Sequence, residues 1–368
     1  MSRDLSLSFT QPPLLSRIRI ASGALDGLGV FTARCTLARQ VALVTDSHVG
    51  PLYGARAERS LKRAGLTVTQ IQVPAGERAK CEAQLFRLWH AFAAAGLSRA
   101  GAVVALGGGV VGDLAGFAAA TWLRGLPWIG VPTSLLAQVD SSVGGKTAID
   151  LPAGKNLVGA FHQPAGVLVD PDTLATLPAR HVRAGLAEVI KMGMGVDAAL
   201  FRWCEAQADA LAAGDPDALH GAVTRSIRAK ARIVKGDERE REGGARAALN
   251  LGHTLGHALE AVHGYRGMLH GEAVALGLRA AADLSVREVG LPIGSRVRLE
   301  AMLDHVGLPL RMPDTRLSAL LAAMQHDKKR SRATVRWVLT PSIGAASVPR
   351  AVKSTFVRAA LMQLGARG

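Results

Sequence analysis

Cysteine is scarce in this chain: Cys35, Cys81 and Cys204 stand far apart and are odd in number. Such a set supports neither a disulfide framework nor a cysteine metal site, and reduced, structural thiols are expected. Aromatic residues make up only 4% of the chain, which leaves few platforms for stacking nucleic-acid bases. No run approaches roughly 18 uncharged apolar residues, so no membrane span is expected. The first residues, with Asp4 among scattered polar side chains, lack a signal-peptide pattern, and a soluble cytoplasmic protein is the expectation. Internal repeats and low-complexity segments are absent. Acidic residues are in the minority, 29 against 44 Lys and Arg, for a formal net charge of +15. That excess invites a nucleic-acid reading. The basic residues are nevertheless dispersed, the densest run being Lys328-Lys329-Arg330, and neither a nucleic-acid nor a membrane partner is expected.

What is present is enough apolar content, 49% over 368 residues, for one large or two medium domains. An apolar run, Ala102 to Leu106, passes into Gly107-Gly108-Gly109-Val110-Val111-Gly112-Asp113 and then an Ala-rich segment. This reads as strand, glycine turn and helix. The spacing Gly107-x-Gly109-x-x-Gly112 suits a pyrophosphate held at a helix N-terminus, though a βα turn with no ligand has the same spacing. The usual acidic residue about 20 positions on is missing, since Gln138 stands near that offset. Earlier, strand patterns at 18–20, 41–45 and 66–73 alternate with helical patterns at 52–64 and 82–95, which predicts a parallel sheet covered on both faces. Asp46, at the end of the second of these strands, can accept ribose hydroxyls or cap the following turn. The stretch Pro132 to Asn156 crowds small polar residues, glycines, Lys146 and Lys155 into a span read as ligand-surrounding rather than core-building. The lysines suit phosphate or carboxylate, and Asp140 suits a hydroxyl; the alternative for each lysine is a solvated surface charge.

Beyond Val169 the pattern turns helical, and the boundary is placed near Leu177-Pro178, dividing the chain into 1–177 and 178–368. A helix from about His181 to Met192 puts Val182, Leu186, Val189 and Ile190 on one side and Glu188 and Lys191 on the other. An exposed ion pair of little energetic value is the plain alternative. Residues 246–262 read as one helix whose polar face carries Arg246, Asn250, His253, His257 and Glu260. Two histidines at i, i+4 can share a metal or take separate roles. His270, just before another helix, is expected neutral because the helix dipole disfavours its charge.

The ordered set Gly107 to Phe117, Trp122-Leu123-Arg124-Gly125, Pro132 to Thr147 and Gly154-Lys155-Asn156 resembles the 3-dehydroquinate synthase family, and later motifs extend the resemblance over nearly the whole chain. It implies an α/β fold, with an N-terminal Rossmann-like parallel-sheet domain followed by a mostly helical metal- and substrate-binding domain. It implies NAD on Asp46, His48, Glu77, Lys80, Gly108, Gly109, Asp113, Thr133, Ser134, Lys155 and Thr176. His48 stands where an Asn is common and Ser134 where a Thr is frequent. One divalent metal, zinc or cobalt, is implied on Glu188, His253 and His270, with His257 left to the substrate. Asp140, Lys146, Asn156, Lys191, Lys230, Arg246, Asn250, His257 and one of Lys328 and Lys329, here Lys329, match substrate-site positions. Arg124 matches a residue that reaches the neighbouring subunit's substrate, which implies a homodimer. Arg239 to Arg241 is about two residues longer than the family pattern, which leaves the match of Glu242 open. The implied substrate is a phosphorylated sugar acid, 3-deoxy-D-arabino-heptulosonate 7-phosphate. It is closed to 3-dehydroquinate by transient oxidation, phosphate β-elimination, reduction and aldol closure. A cyclase acting on sedoheptulose 7-phosphate and a metal-dependent polyol dehydrogenase are the alternatives.

Overall fold

A computed structural model describes residues 15–241, 243–326, 335–346 and 349–368. The first half runs β1 (Arg17–Ile20), α1 (Leu28–Cys35), β2 (Gln40–Asp46), α2 (Ala55–Arg63), β3 (Thr67–Val73), α3 (Glu82–Ala94), β4 (Gly101–Gly107), α4 (Gly109–Thr121) and β5 (Trp128–Pro132). A hairpin of β6 (Lys146–Leu151) and β7 (Gly154–Phe161) precedes β8 (Gly166–Val169). Six strands form one parallel sheet in the order β1-β8-β5-β4-β2-β3. Strand β4 is buried along its whole length, as a central parallel strand covered by helices must be. The chain leaves β2 toward one edge of the sheet and β4 toward the other. A crevice therefore opens between their carboxyl ends, where open α/β sheets bind ligands.

The hairpin departs from the reading of this stretch as one that builds no core. Ala148 and Ile149 are buried, Ile149 within the core cluster that includes α4, while most of β7 is solvent-facing. Strand β6 is buried over Thr147, Ala148 and Ile149 and β7 is the open outer strand, so neither shows the in-out alternation that would mark a strand in the sequence.

The second half begins with α5 (Ala179–Gly195), directly after Pro178. It continues through α6 (Ala198–Ala206), α7 (Ala208–Ala213), α8 (Pro216–Gly236), α9 (His253–Val262), α10 (His270–Glu288), α11 (Ile293–His305) and α12 (Leu317–His326). A two-residue ladder of β9 (Arg336–Trp337) with β10 (Arg350–Ala351) and α13 (Ser354–Gln363) complete the described chain. One apolar cluster joins Leu135, Val139 and Val167 of the first half to Val182, Leu186 and Val189 of the second. No described helix is long and apolar enough to cross a membrane.

Two expectations are corrected here. Helix α5 is buried on every side from Ala184 to Gly195, so Glu188 and Lys191 are 1% and 2% exposed and the surface ion pair is excluded. The single helix over 246–262 is broken: Ala245–Asn250 makes a 3-10 turn, Gly252 takes φ +82°, and α9 starts at His253. Only a glycine adopts that left-handed conformation at little cost. Arg246 and Asn250 therefore lie on a separate turn and do not continue the face of α9.

Close backbone contacts set the spacing in this half. A Cβ on Gly271 would lie 1.8 Å from the Ala184 carbonyl oxygen, and one on Gly277 would lie 1.8 Å from that of Gly252. Helix α10 thus abuts α5 one turn before Glu188, and abuts the residue that precedes His253.

Candidate active site

Glu188 stands in the middle of α5, while His253 and His270 are the first residues of α9 and α10. Glu188 Oε1 lies 3.7 Å from His253 Nε2 and 3.5 Å from His270 Nε2. One ligand atom from each residue falls within 4.8 Å of the others. Both Glu188 oxygens are buried and neither accepts a hydrogen bond from a described residue, although the Lys191 ammonium abuts one of them. Burial of unbonded carboxylate oxygens is costly, and a cation between them and two imidazoles removes that cost. Two imidazoles and one carboxylate are the protein donors of a catalytic zinc site, so the residues fit a divalent ion.

The electrostatics agree in part with the expectation of neutral imidazoles. Burial and the Lys191 ammonium push His253 down to about 3, so it is neutral and free to ligate. Burial also opposes charge on His270, but the carboxylate of Glu188 beside it and the carboxylate of Glu260 that accepts from its Nδ1 push it up to about 10. The expectation of a neutral His270 is thus overturned for the metal-free chain, because two carboxylates outweigh one helix N-terminus. Burial drives the Glu188 carboxyl up, yet Lys191 and the histidines bring it down to about 2.

Next to this cluster, the wide helical turn Ala137–Ser141 presents Asp140. Lys230 Nζ, from α8, donates to its Oδ1 at 2.5 Å and to its carbonyl at 2.6 Å. Burial opposes ionisation of Asp140, but Lys230 and Lys191 hold it well below the ordinary carboxylate range. His257 sits on the outer side, its ring 5.2 Å from that of His253.

The hairpin brings further candidates over the crevice. Lys155 reaches Glu77 Oε1 at 3.2 Å and Glu260 Oε1 at 3.1 Å. Lys80 pairs with Asp113 at 2.6 Å and contacts Asn156, which holds φ +55°. Lys146 pairs with Glu240, whose other oxygen accepts from Asn250 Nδ2 at 2.8 Å. Arg246 is 3% exposed and donates to the Glu238 and Gly144 carbonyls at 2.6 and 3.2 Å. Two of its five N–H donors are thus committed to main chain.

Around the crevice, Gly108 caps α4 and, among the described residues, no side chain caps its first-turn amides. Thr133 and Ser134 follow β5, and Gly108 lies close to the Ser134 hydroxyl. Asp46 Oδ1 accepts the His48 and Val49 amides at 2.8 and 2.9 Å, so the capping role weighed for Asp46 is filled by one oxygen. His48 itself is exposed. The Thr176 hydroxyl pairs with the Tyr53 hydroxyl at 2.8 Å. Gln138, at the acid's usual offset, is buried and donates to Pro132, Asp170 and Thr173. Arg124 is exposed in a turn after α4, where Leu123, Arg124 and Gly125 all have positive φ.

Family models of the 3-dehydroquinate synthase N-terminal and C-terminal regions match residues 70–184 and 185–330. The chain belongs to the 3-dehydroquinate synthase family. A 3-dehydroquinate synthase of Bordetella pertussis is 48% identical over 344 residues, covering 94% of this chain and 95% of the relative. Among solved structures, 2-epi-5-epi-valiolone synthase from Streptomyces hygroscopicus with NAD+ and Zn2+ bound superposes with TM-score 0.88 at 26% identity, covering 98% of this chain and 99% of that one. A 2-deoxy-scyllo-inosose synthase complexed with carbaglucose-6-phosphate, NAD+ and Co2+ gives TM-score 0.85 at 26% identity, covering 94% and 95%.

For a 3-dehydroquinate synthase family member, two site residues escaped the sequence reading. Glu240 joins Lys146 to Asn250, but it lies in the alternating charge run Asp237-Glu238-Arg239-Glu240, where sequence alone marks no single carboxylate. Glu260 was placed on the polar face of α9 without a role; its spacing of seven from His253, two helical turns, was the available signal. Glu242, Lys328 and Lys329 lie outside the described residues.

Proposed function

We infer that the chain catalyses the 3-dehydroquinate synthase reaction, closing 3-deoxy-D-arabino-heptulosonate 7-phosphate to 3-dehydroquinate with release of phosphate. The observation that carries this reading is the convergence of Glu188, His253 and His270 beside Asp140, Lys191 and Lys230, in a chain of this family. When bound, NAD accepts and later returns a hydride, and a zinc or cobalt ion on Glu188, His253 and His270 supplies Lewis-acid polarisation.

The chain's own residues do the holding and the charge balancing. Asp140, kept ionised by Lys191 and Lys230, orients substrate hydroxyls. Lys230 and Arg246 offer cations to the carboxylate, the latter through donors its two carbonyl contacts leave free. Lys146, Asn156, His257 and a lysine of 328–329 receive the phosphate, which takes up the proton lost in β-elimination and leaves as inorganic phosphate. Asn250 aligns the phosphate side through Glu240. Asp46, His48, Glu77, Lys80, Gly108, Gly109, Asp113, Thr133, Ser134, Lys155 and Thr176 surround the dinucleotide, its pyrophosphate at the uncapped start of α4.

The working unit is a homodimer in the cytoplasm, in which Arg124 serves the partner subunit's site. Support comes from β7, where Leu157, Val158 and Phe161 are 37%, 38% and 47% exposed, an apolar strand surface of the kind that second copies cover. Phosphate release measured with both sugars tests the reading. The heptulosonate phosphate is turned over and sedoheptulose 7-phosphate, which lacks the carboxylate, is not. The reverse preference assigns the chain to a different cyclase activity.

A further inference from the structure

Glu260 has no part in the chemistry above, yet it is 5% exposed and both its oxygens are engaged. Oε2 accepts from His270 Nδ1 at 3.0 Å. Oε1 accepts from Lys155 Nζ at 3.1 Å. The first partner is in the metal cluster of the helical half. The second is on β7 of the sheet half, clamped by Glu77 at 3.2 Å and lying 4.7 Å over the ring of Tyr265. Tyr265 follows α9 and holds a left-handed φ of +58°, so the loop after α9 is bent to set that ring beneath the ammonium.

Each contact has a physical consequence. A carboxylate on Nδ1–H keeps a proton on that nitrogen and leaves Nε2, which faces Glu188 and His253, as the ring atom able to take an ion, and such partners raise the basicity of the ligand. The same carboxylate holds the Lys155 ammonium at one place over the crevice, ready for an anionic or hydroxylated ligand. Glu260 is thus the one carboxylate touching both His270 and Lys155 among the described residues, so a change in the position of either bears on the other through it. By linkage, a ligand that moves Lys155 acts back on the ion by the same factor.

We propose that Glu260 is a positioning residue that couples occupancy of the metal site to dinucleotide binding across the cleft. The coupling rests on the proposed function for the place of NAD, while its metal side stands on His270 alone. The test uses the full-length protein, with NAD and zinc affinities measured by titration calorimetry and chelator competition, and folding checked by thermal melting. Wild-type protein binds NAD with an affinity that changes about 5-fold or more between its metal-free and zinc-loaded forms. In Glu260→Gln that change falls below about 2-fold, and zinc affinity drops about 10- to 100-fold. Glu260→Ala gives the same pattern if the Gln variant melts abnormally. Lys155→Gln abolishes the change in NAD affinity while zinc affinity stays within about 3-fold of wild type, which a general loosening of the fold would not produce. Unaltered zinc affinity together with an unaltered NAD shift in folded Glu260→Gln overturns the proposal, as does a wild-type chain whose NAD affinity ignores zinc. A wild-type chain that binds no NAD overturns the proposed function instead, and the zinc affinity of the Gln variant still decides the role of Glu260 toward His270.

Discussion

Glu188 keeps a charge in a place where water cannot solvate it, and its neighbours show what that requires. Lys191 balances it from one side and two imidazoles face it from the other, one neutral and one protonated in the metal-free chain. Metal uptake must therefore expel one proton, from His270, because His253 at about 3 has none to lose. The sign follows: His270 stays protonated below about 10, so zinc binding tightens as pH rises toward that value. At pH 8, calorimetry in buffers of different ionisation enthalpy is expected to report about one proton released per ion. Two protons would mean that His253 is also charged; none would remove His270 from the cluster. The residue types were legible in the sequence, since Glu188, His253, His257 and His270 stand out in an apolar setting. The protonation of His270 was not, because it depends on Glu188 and Glu260, which reach it from two other helices. Glu240 was hidden for a similar reason: its partners Lys146 and Asn250 are remote from one another in the chain.

At the level of elements, apolar runs and helical spacing put β1 to β4 and helices α2 to α5 near where they lie, and tertiary contact decided where periodicity misled. Apolar spacing continues through Leu251, Leu255 and Leu259, which made 246–262 read as one helix. Gly252 breaks it because α10 presses its backbone there, leaving no room for a side chain. That close approach carries a prediction. Gly277→Ala puts a methyl 1.8 Å from the Gly252 carbonyl oxygen and must force α9 and α10 apart. The expected cost is about 1–3 kcal/mol or more, read as a lower melting temperature, with weaker zinc binding because His253 follows Gly252 directly. Gly294→Ala, where a Cβ meets nothing within 4 Å, serves as the contrast and leaves both unchanged or slightly raises stability. Equal melting temperatures for the two variants would show that helix contact does not set the site.

Seen whole, the molecule places a crevice at the carboxyl ends of a parallel sheet and the Glu188, His253 and His270 cluster among three helices, with the β6–β7 hairpin carrying Lys155 between them. The order of a parallel sheet followed by helices was readable from the change of pattern after Val169. The hairpin was not, because its outer strand, β7, is left open on this single chain. Analytical ultracentrifugation is expected to find two chains per particle, and Phe161→Asp, on that open face, is expected to shift the equilibrium toward single chains; a monomeric wild type would refute the assignment of Arg124 to a partner's site. The most direct test of the central claim counts product per dinucleotide. With the heptulosonate phosphate in excess and NAD far below it, each NAD should support many rounds of phosphate release while free NADH stays near zero, since the hydride is returned within each cycle. NADH accumulating one for one with substrate consumed would contradict the account and make the chain a dehydrogenase.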